Sequence, residues 1–233
     1  MKIYAISDLH LDFEKKKPMD IFGKSWENHE EKIFSNWKKI VKKDDIVLMP
    51  GDISWAINLT KGIKDLDRID NLNGKKIITK GNHDYWWSTN SKLRKLELES
   101  IVFIQNNSFQ YKNIQIFGTR GWTDRSNDDF KEKDEKIFQR ELHRLELSFQ
   151  SGKDLNSYFN IALVHYPPFD TKGNPNEFVE LMKKHNVRTC IYGHLHSEEG
   201  HRYVYEGKIS NINFICSSAD YIKFAPVEIK EVK

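Results

Sequence analysis

Five short apolar runs in this 233-residue chain each end directly in a side chain able to bind a cation or move a proton. I-Y-A-I-S is followed by Asp8-Leu9-His10, I-V-L-M-P by Gly51-Asp52, and K-I-I-T-K by Gly81-Asn82-His83-Asp84. I-A-L-V is followed by His165, and T-C-I-Y by Gly193-His194-Leu195-His196. A lone His at such a place is more often a hydrogen-bonded structural residue. Five of nine histidines sharing the placement is not what independent structural uses would produce. Asp8/His10 and His194/His196 are i, i+2 pairs, which an extended chain presents on one face. Oxygen and imidazole donors without thiolate suit Mn, Fe or Zn in catalytic use. With His83 set apart, seven candidate ligands remain: Asp8, His10, Asp52, Asn82, His165, His194 and His196. One tetrahedral ion needs about four. Seven, with one carboxylate shared, fit two ions roughly 3.5–4 Å apart, a pair that clamps the attacking and leaving oxygens of a displacement at phosphorus. The His83-Asp84 pair reads equally as a ligand pair, an acid–base pair or a solvated turn.

These residues need rigid strands behind them. Strands are expected at 2–7, 46–50, 76–80, 101–104, 109–111, 114–119, 161–165, 189–192, 202–205 and 213–217. I-V-L-M and I-A-L-V are apolar on both faces, as in a strand buried within a sheet. Helices are expected at 29–43, 61–71, 89–99, 128–150 and 175–186, the fourth carrying a stripe of Phe138, Leu142, Leu145 and Phe149. The alternation argues for an α/β layered fold, with part of the sheet system antiparallel. Ligands of such folds sit at the carboxyl ends of strands.

Composition narrows the class. The chain is 38% hydrophobic and 30% charged, with a net charge of +3. That length suits one domain. The charge is too small to argue for nucleic acid, and Lys far outnumbers Arg, as on a solvated surface. Cys190 and Cys216 lie in apolar runs without C-x-x-C, which points to a reducing compartment and a cytoplasmic protein. No window is apolar enough for a membrane span.

D-x-H, G-D, G-N-H-D, H and G-H-x-H, in this order over residues 8–196, resemble the calcineurin-like metallophosphoesterase superfamily, of the bacterial predicted-phosphohydrolase type. The resemblance implies an α/β four-layer α/β/β/α sandwich with two mixed β-sheets, one domain over residues 1–233, and a dinuclear centre. It implies Asp8, His10, His196 and bridging Asp52 on one metal, and Asp52, Asn82, His165 and His194 on the other. It implies a phosphohydrolase that cleaves phosphomonoesters or phosphodiesters by in-line attack of a metal-bridging hydroxide. His83 would be the general acid, with Asp84 its orienter. Many members carry a further Asp or Asn shortly after G-D; here the run is I-S-W-A, ending that stretch on Trp55-Ala56.

Three rivals stand beside this reading. An HD-type phosphohydrolase would place the pair on a helix, not after a strand and Gly. A non-catalytic binding scaffold of the same fold typically loses ligands. A nuclease of the superfamily wants a basic stripe. A small phosphorylated substrate is therefore expected. Around the metals, Arg120 is expected as a phosphate clamp. Trp86, Trp87 and Tyr166 are expected substrate contacts, core packing being the bland alternative for the tryptophans. Residues 105–136 are expected to form a lid.

Overall fold

The computed structural model describes residues 1–156 and 158–231. The expected domain, 1–233, extends beyond them at Ser157, Val232 and Lys233. The first half of the chain runs β1 (Lys2–Ala5), α1 (His29–Ile40), β2 (Ile46–Pro50), α2 (Leu59–Asp70), β3 (Lys75–Thr79), α3 (Asn90–Leu93) and β4 (Ile101–Phe103). The second runs β5 (Phe109–Tyr111), β6 (Ile114–Thr119), α4 (Glu132–Gln150), β7 (Phe159–Val164), α5 (Glu177–Lys184), β8 (Val187–Tyr192), α6 (Ser197–His201), β9 (Gly207–Ile209), β10 (Ile212–Cys216) and β11 (Val227–Glu231).

Two mixed sheets result. One has the order β11-β1-β2-β3-β4, the other β5-β6-β7-β8-β10-β9. In the first, β1 to β4 are parallel and β11 is antiparallel at the edge. In the second, β6, β7, β8 and β10 are parallel between antiparallel edges β5 and β9. Strand alternation sorts the cores. Ile3, Ala5, Ile46, Leu48 and Ile77 meet Ile114, Ile116, Ile161, Leu163 and Ile191 between the sheets. Tyr4, Val47, Met49 and Ile78 face the other way, against Ile33 and Trp37 of α1 and Leu66 and Ile69 of α2. Phe117, Ala162, Val164 and Tyr192 meet Phe138, Leu145 and Phe149 of α4 and Phe178 and Met182 of α5. Because successive side chains point to opposite faces, each central strand serves two cores. The result is the expected four-layer sandwich.

Several expected elements differ. The run at 202–205 is not a strand: Arg202 and Tyr203 turn after α6, and the pairing falls to Gly207–Ile209. The helix at 89–99 is one turn, 90–93. β11 was not expected from sequence. Within 105–136, residues 109–111 and 114–119 are strand, the latter buried, and α4 opens at Glu132, so the stretch after β6 is the longest without regular structure. Cys190 and Cys216 are buried free thiols on β8 and β10. Among the described residues no helix is long and apolar enough to cross a membrane.

Lys76, on β3, is fully buried. Its ammonium donates to the Asp70 carbonyl (3.2 Å), the Leu72 carbonyl and Ser100 Oγ (2.8 Å), closing the C-terminal end of α2. Burial lowers its pKa to about 8. Lys76→Met strands those buried carbonyls and is expected to cost about 2 kcal/mol, read from urea unfolding. The folded pKa lies below the unfolded one, so the native state releases its proton first. Wild type therefore gains stability relative to the variant as pH rises through 8 towards 10.5. An equal pH profile in the two proteins would contradict this.

Candidate metal centre

The parallel strands of both sheets deliver their carboxyl ends to one place. Asp8 follows β1, Asp52 follows β2, Asn82 follows β3, His165 follows β7 and His194 follows β8. The chain turns so sharply there that Asp8, His10, Asp52 and His194 all have left-handed backbones, with φ of 55°, 46°, 53° and 72°. Non-glycine residues hold such angles only where the surroundings over-determine them, as at functional sites. Gly81 permits the closest approach. A Cβ there would lie 2.0 Å from Asp52 Oδ1, so no other residue lets the β2 and β3 loops meet.

All seven expected ligands come together. Asp8, His10 and Asp52 are buried, with ligand atoms within 4.8 Å of one another. The His196 ring lies 5.3 Å from that of His10, and its Nδ1 is buried without a hydrogen-bond partner. On the other side of Asp52, its Oδ2 is 3.4 Å from His165 Nε2. Asn82 Oδ1 lies 2.6 Å from that same nitrogen and 3.0 Å from His194 Nδ1, and the two imidazole nitrogens are 3.3 Å apart. His165 Nδ1 faces the Pro50 carbonyl at 2.9 Å and must donate to it, which turns Nε2 towards Asp52 and Asn82. Oxygens of Asp52 and Asn82 and a ring nitrogen of His194 thus converge on His165 Nε2, a position that a proton or a metal ion can fill. Such a set of donors could hold a cation.

The other buried polar atoms agree. Both ring nitrogens of His10 and Oδ2 of Asp52 have no hydrogen-bond partner. Buried polar atoms are otherwise almost always satisfied. Electrostatics point the same way. Burial opposes charge on His165, yet Asp52 and Asp8 win and raise its pKa to about 9, a proton standing where a metal ion would. Burial lowers the pKa of His10 and of His194, as befits neutral imidazole ligands. Supporting contacts orient Asp8: Ser7 Oγ donates to Oδ2 (2.6 Å) and the His194 amide donates to both oxygens (3.1 and 3.0 Å).

His83 borders the group without joining it. Its amide donates to Asp52 Oδ1 at 2.8 Å, and its ring packs 4.4 Å from Trp55. The other face of the site is similar: Trp55 stacks on His10 at 4.7 Å. Burial lowers the His83 pKa.

The structure corrects several expectations. Asp84 does not orient His83, whose Nδ1 has no partner. The Asp84 carboxylate turns back into the protein. It accepts from the amides of Asp52 (3.0 Å), Gly81 (2.8 Å), Ile53 (2.9 Å) and Ser54 (3.3 Å), and from Trp86 Nε1 (2.9 Å). It is a staple between the β2 and β3 loops. Burial and the Asp52 charge raise its pKa to about 6, leaving it ionised at neutral pH. Trp86 is core: it is buried, and its Cβ meets Gly62 of α2. Trp87 packs edge-on against Phe103 and donates to Gln105, not to any of the converging donors. Arg120, the expected phosphate clamp, has other partners. Its guanidinium pairs with Glu141 at 3.3 Å and lies on Trp122 at 4.3 Å. Tyr166 remains at the site, its ring 4.1 Å from that of His194.

Two features had no sequence signal. A cleft of about 440 Å³ opens from His194 and Tyr166, with Asp124, Asp128, Asp129 and Asp170 in its lining and no Lys or Arg. Opposite it, Lys17 lies over the outer face of Trp55, 4.5 Å from the ring centre.

Against known proteins, the profile of a family described as calcineurin-like phosphoesterase matches residues 1–198, a span that contains every motif above. Two solved structures share the fold. The protein of unknown function AQ665 from Aquifex aeolicus is 19% identical, with a TM-score of 0.54, over 97% of this chain and 95% of that one. The protein TT1561 of Thermus thermophilus is 12% identical, with a TM-score of 0.55, over 92% and 87%. No curated protein matches the chain significantly.

Proposed function

The chain belongs to the calcineurin-like phosphoesterase family, and we propose that it is a dinuclear-metal phosphohydrolase acting on small phosphorylated substrates. The observation that carries this is Asp52, whose Oδ2 faces His10 Nε2 at 3.8 Å on one side and His165 Nε2 at 3.4 Å on the other. One carboxylate thereby serves two donor groups. Asp8, His10, Asp52 and His196 would hold one ion, and Asp52, Asn82, His165 and His194 the second, with Mn, Fe or Zn suited to these donors. Such ions would supply Lewis acidity and acidify a water for attack at phosphorus.

The remaining work falls to residues of the chain. His83, beside the ligands but not among them, would protonate the leaving oxygen. Asp84 holds the two loops that present Asp52 and Asn82. Tyr166 forms a wall next to His194. The carboxylates of the adjoining cleft oppose a polyanion, which favours a small substrate over nucleic acid. The stretch from Arg120 to Lys131, between β6 and α4, contributes Asp124, Asp128 and Asp129 to that cleft and is the part of the expected lid that could govern access. A single domain in a reducing, cytoplasmic setting fits the two buried free thiols.

The test is turnover of an aryl phosphate monoester and an aryl diester by protein loaded in turn with Mn²⁺, Fe²⁺ and Zn²⁺, with elemental analysis of each sample. Hydrolysis that stops on chelation and returns with metal supports the reading. Two bound metals with no turnover of any phosphoester would favour a binding scaffold instead.

With the Arg120 guanidinium paired to Glu141, Lys17, which acts on His83 and lies over Trp55, is a candidate cation for the substrate. It has no carboxylate partner among the described residues; Glu14 pairs with Lys16 and Lys61 instead. Lys17→Ala is expected to raise KM roughly three- to five-fold with kcat little changed, the effect of one partly solvated charge on an anionic substrate. An unchanged KM would remove Lys17 from the substrate's path.

A further inference from the structure

Behind the metal centre, the ends of β3 and β6 enclose a crevice of about 30 Å³ lined by Lys80, Arg120, Arg144, Glu141, Trp87 and Gln105. Three cations meet one carboxylate there. Glu141 is almost fully buried, and its oxygens are already committed. Oε1 takes Arg144 Nη1 at 2.7 Å and Arg120 Nη2 at 3.3 Å, with Arg140 Nε at 3.6 Å, and Oε2 takes the Thr119 hydroxyl at 2.8 Å. Arg120 Nε is buried and has no acceptor. Lys80 has no hydrogen-bond or salt-bridge partner among the described residues. Lys80, Arg120 and Arg144 are half-buried around a single buried carboxylate, so the crevice carries a local excess of positive charge that a counter-ion would offset, and a space of this size admits one compact ion.

We propose that this crevice is an anion site, filled by a compact inorganic anion held between Lys80, Arg120 and Arg144. It is independent of the phosphoesterase reading, because no metal ligand lines it. Its place gives it consequence. Lys80 precedes Gly81 and Asn82 in the chain, and the Arg120 carbonyl accepts from the amides of His165 and Tyr166, each at 3.0 Å. An anion here ties the strand end that presents Asn82 to the one that presents His165, across the two sheets.

The experiment is thermal unfolding of the metal-loaded protein in sodium chloride, sodium phosphate and sodium gluconate at one ionic strength. Chloride or phosphate should raise Tm by about 2–4 °C over gluconate. A chloride effect without a phosphate effect identifies a halide-sized site; the reverse identifies an oxyanion site. Lys80→Met should abolish the shift. An equal Tm in all three salts overturns the proposal, as does a shift that Lys80→Met retains in full, since that shift belongs to the metal centre or the general surface. Should the variant fail to fold, wild-type crystals soaked in bromide decide: an anomalous peak within contact of Lys80 and Arg120 supports the site, and its absence together with a null phosphate shift rejects it.

Discussion

Asp52→Asn is expected to empty both metal positions together and to lower turnover on the order of 10³-fold. The substitution keeps the shape of the side chain. The amide oxygen can still accept from the His83 N–H, as Oδ1 does now at 2.8 Å. What changes is the other end, where Oδ2 lies between His10 and His165 with no donor of its own. An amide NH₂ there donates to the imidazole lone pairs and so competes with the ions for them. The metal-free protein should therefore fold as before, with an unchanged circular dichroism spectrum. Its Tm should fall modestly below that of metal-free wild type, because the Asp52 carboxylate is the charge that holds the proton on His165 when no metal is bound. Elemental analysis is the deciding measurement. Loss of both metals supports one shared carboxylate. Retention of one equivalent would mean that Asp52 serves a single ion, and retention of two would end the bridging assignment.

The convergence of the candidate ligands was legible in the sequence because it depends on where strands end. Buried strands announce themselves through runs such as I-V-L-M, and whatever follows such a run is delivered to the sheet's edge. The layered fold was legible for the same reason. The direction of a side chain within a tight turn is another matter. Asp84 adjoins His83 in sequence, yet the turn after Gly81 sends its carboxylate back to four amides of its own and the neighbouring loop. Nothing in G-N-H-D distinguishes that from pairing with the imidazole. Arg120 failed similarly: its partner Glu141 is a helix residue 21 positions away. Trp86 and Trp87 share a run with the ligands but face the core through packing that only the helices supply. β11 was readable in principle, since V-E-I-K-E alternates as a half-buried edge strand should, but it is short and terminal. Lys17 had no pattern to betray it, because its position comes from the face of Trp55.

His83→Ala should separate substrates by their leaving groups. On an alkyl phosphoester, whose alkoxide leaves poorly without a proton, kcat should fall about 10²–10⁴-fold. On an activated aryl ester, whose phenolate leaves unaided, the fall should be less than about ten-fold. Metal content should be unchanged, because the His83 ring is not among the converging donors. Its ring rests on Trp55 with no carboxylate in ion-pair contact among the described residues, and burial outweighs the Asp52 charge and lowers its pKa, so the proton it gives is not held as a stable imidazolium. The assistance it lends should grow as pH falls from 8 towards 6, where more of the ring is protonated. Asp84→Asn supplies the control. If Asp84 oriented His83, it would reproduce the leaving-group pattern. As a staple accepting five donors, it should instead lower stability by about 2–3 kcal/mol and weaken metal retention, while reducing alkyl and aryl turnover in equal proportion. Equal losses on both substrates in His83→Ala would remove the acid role from His83. A leaving-group dependence in Asp84→Asn would restore the His–Asp pair that the backbone contacts argue against.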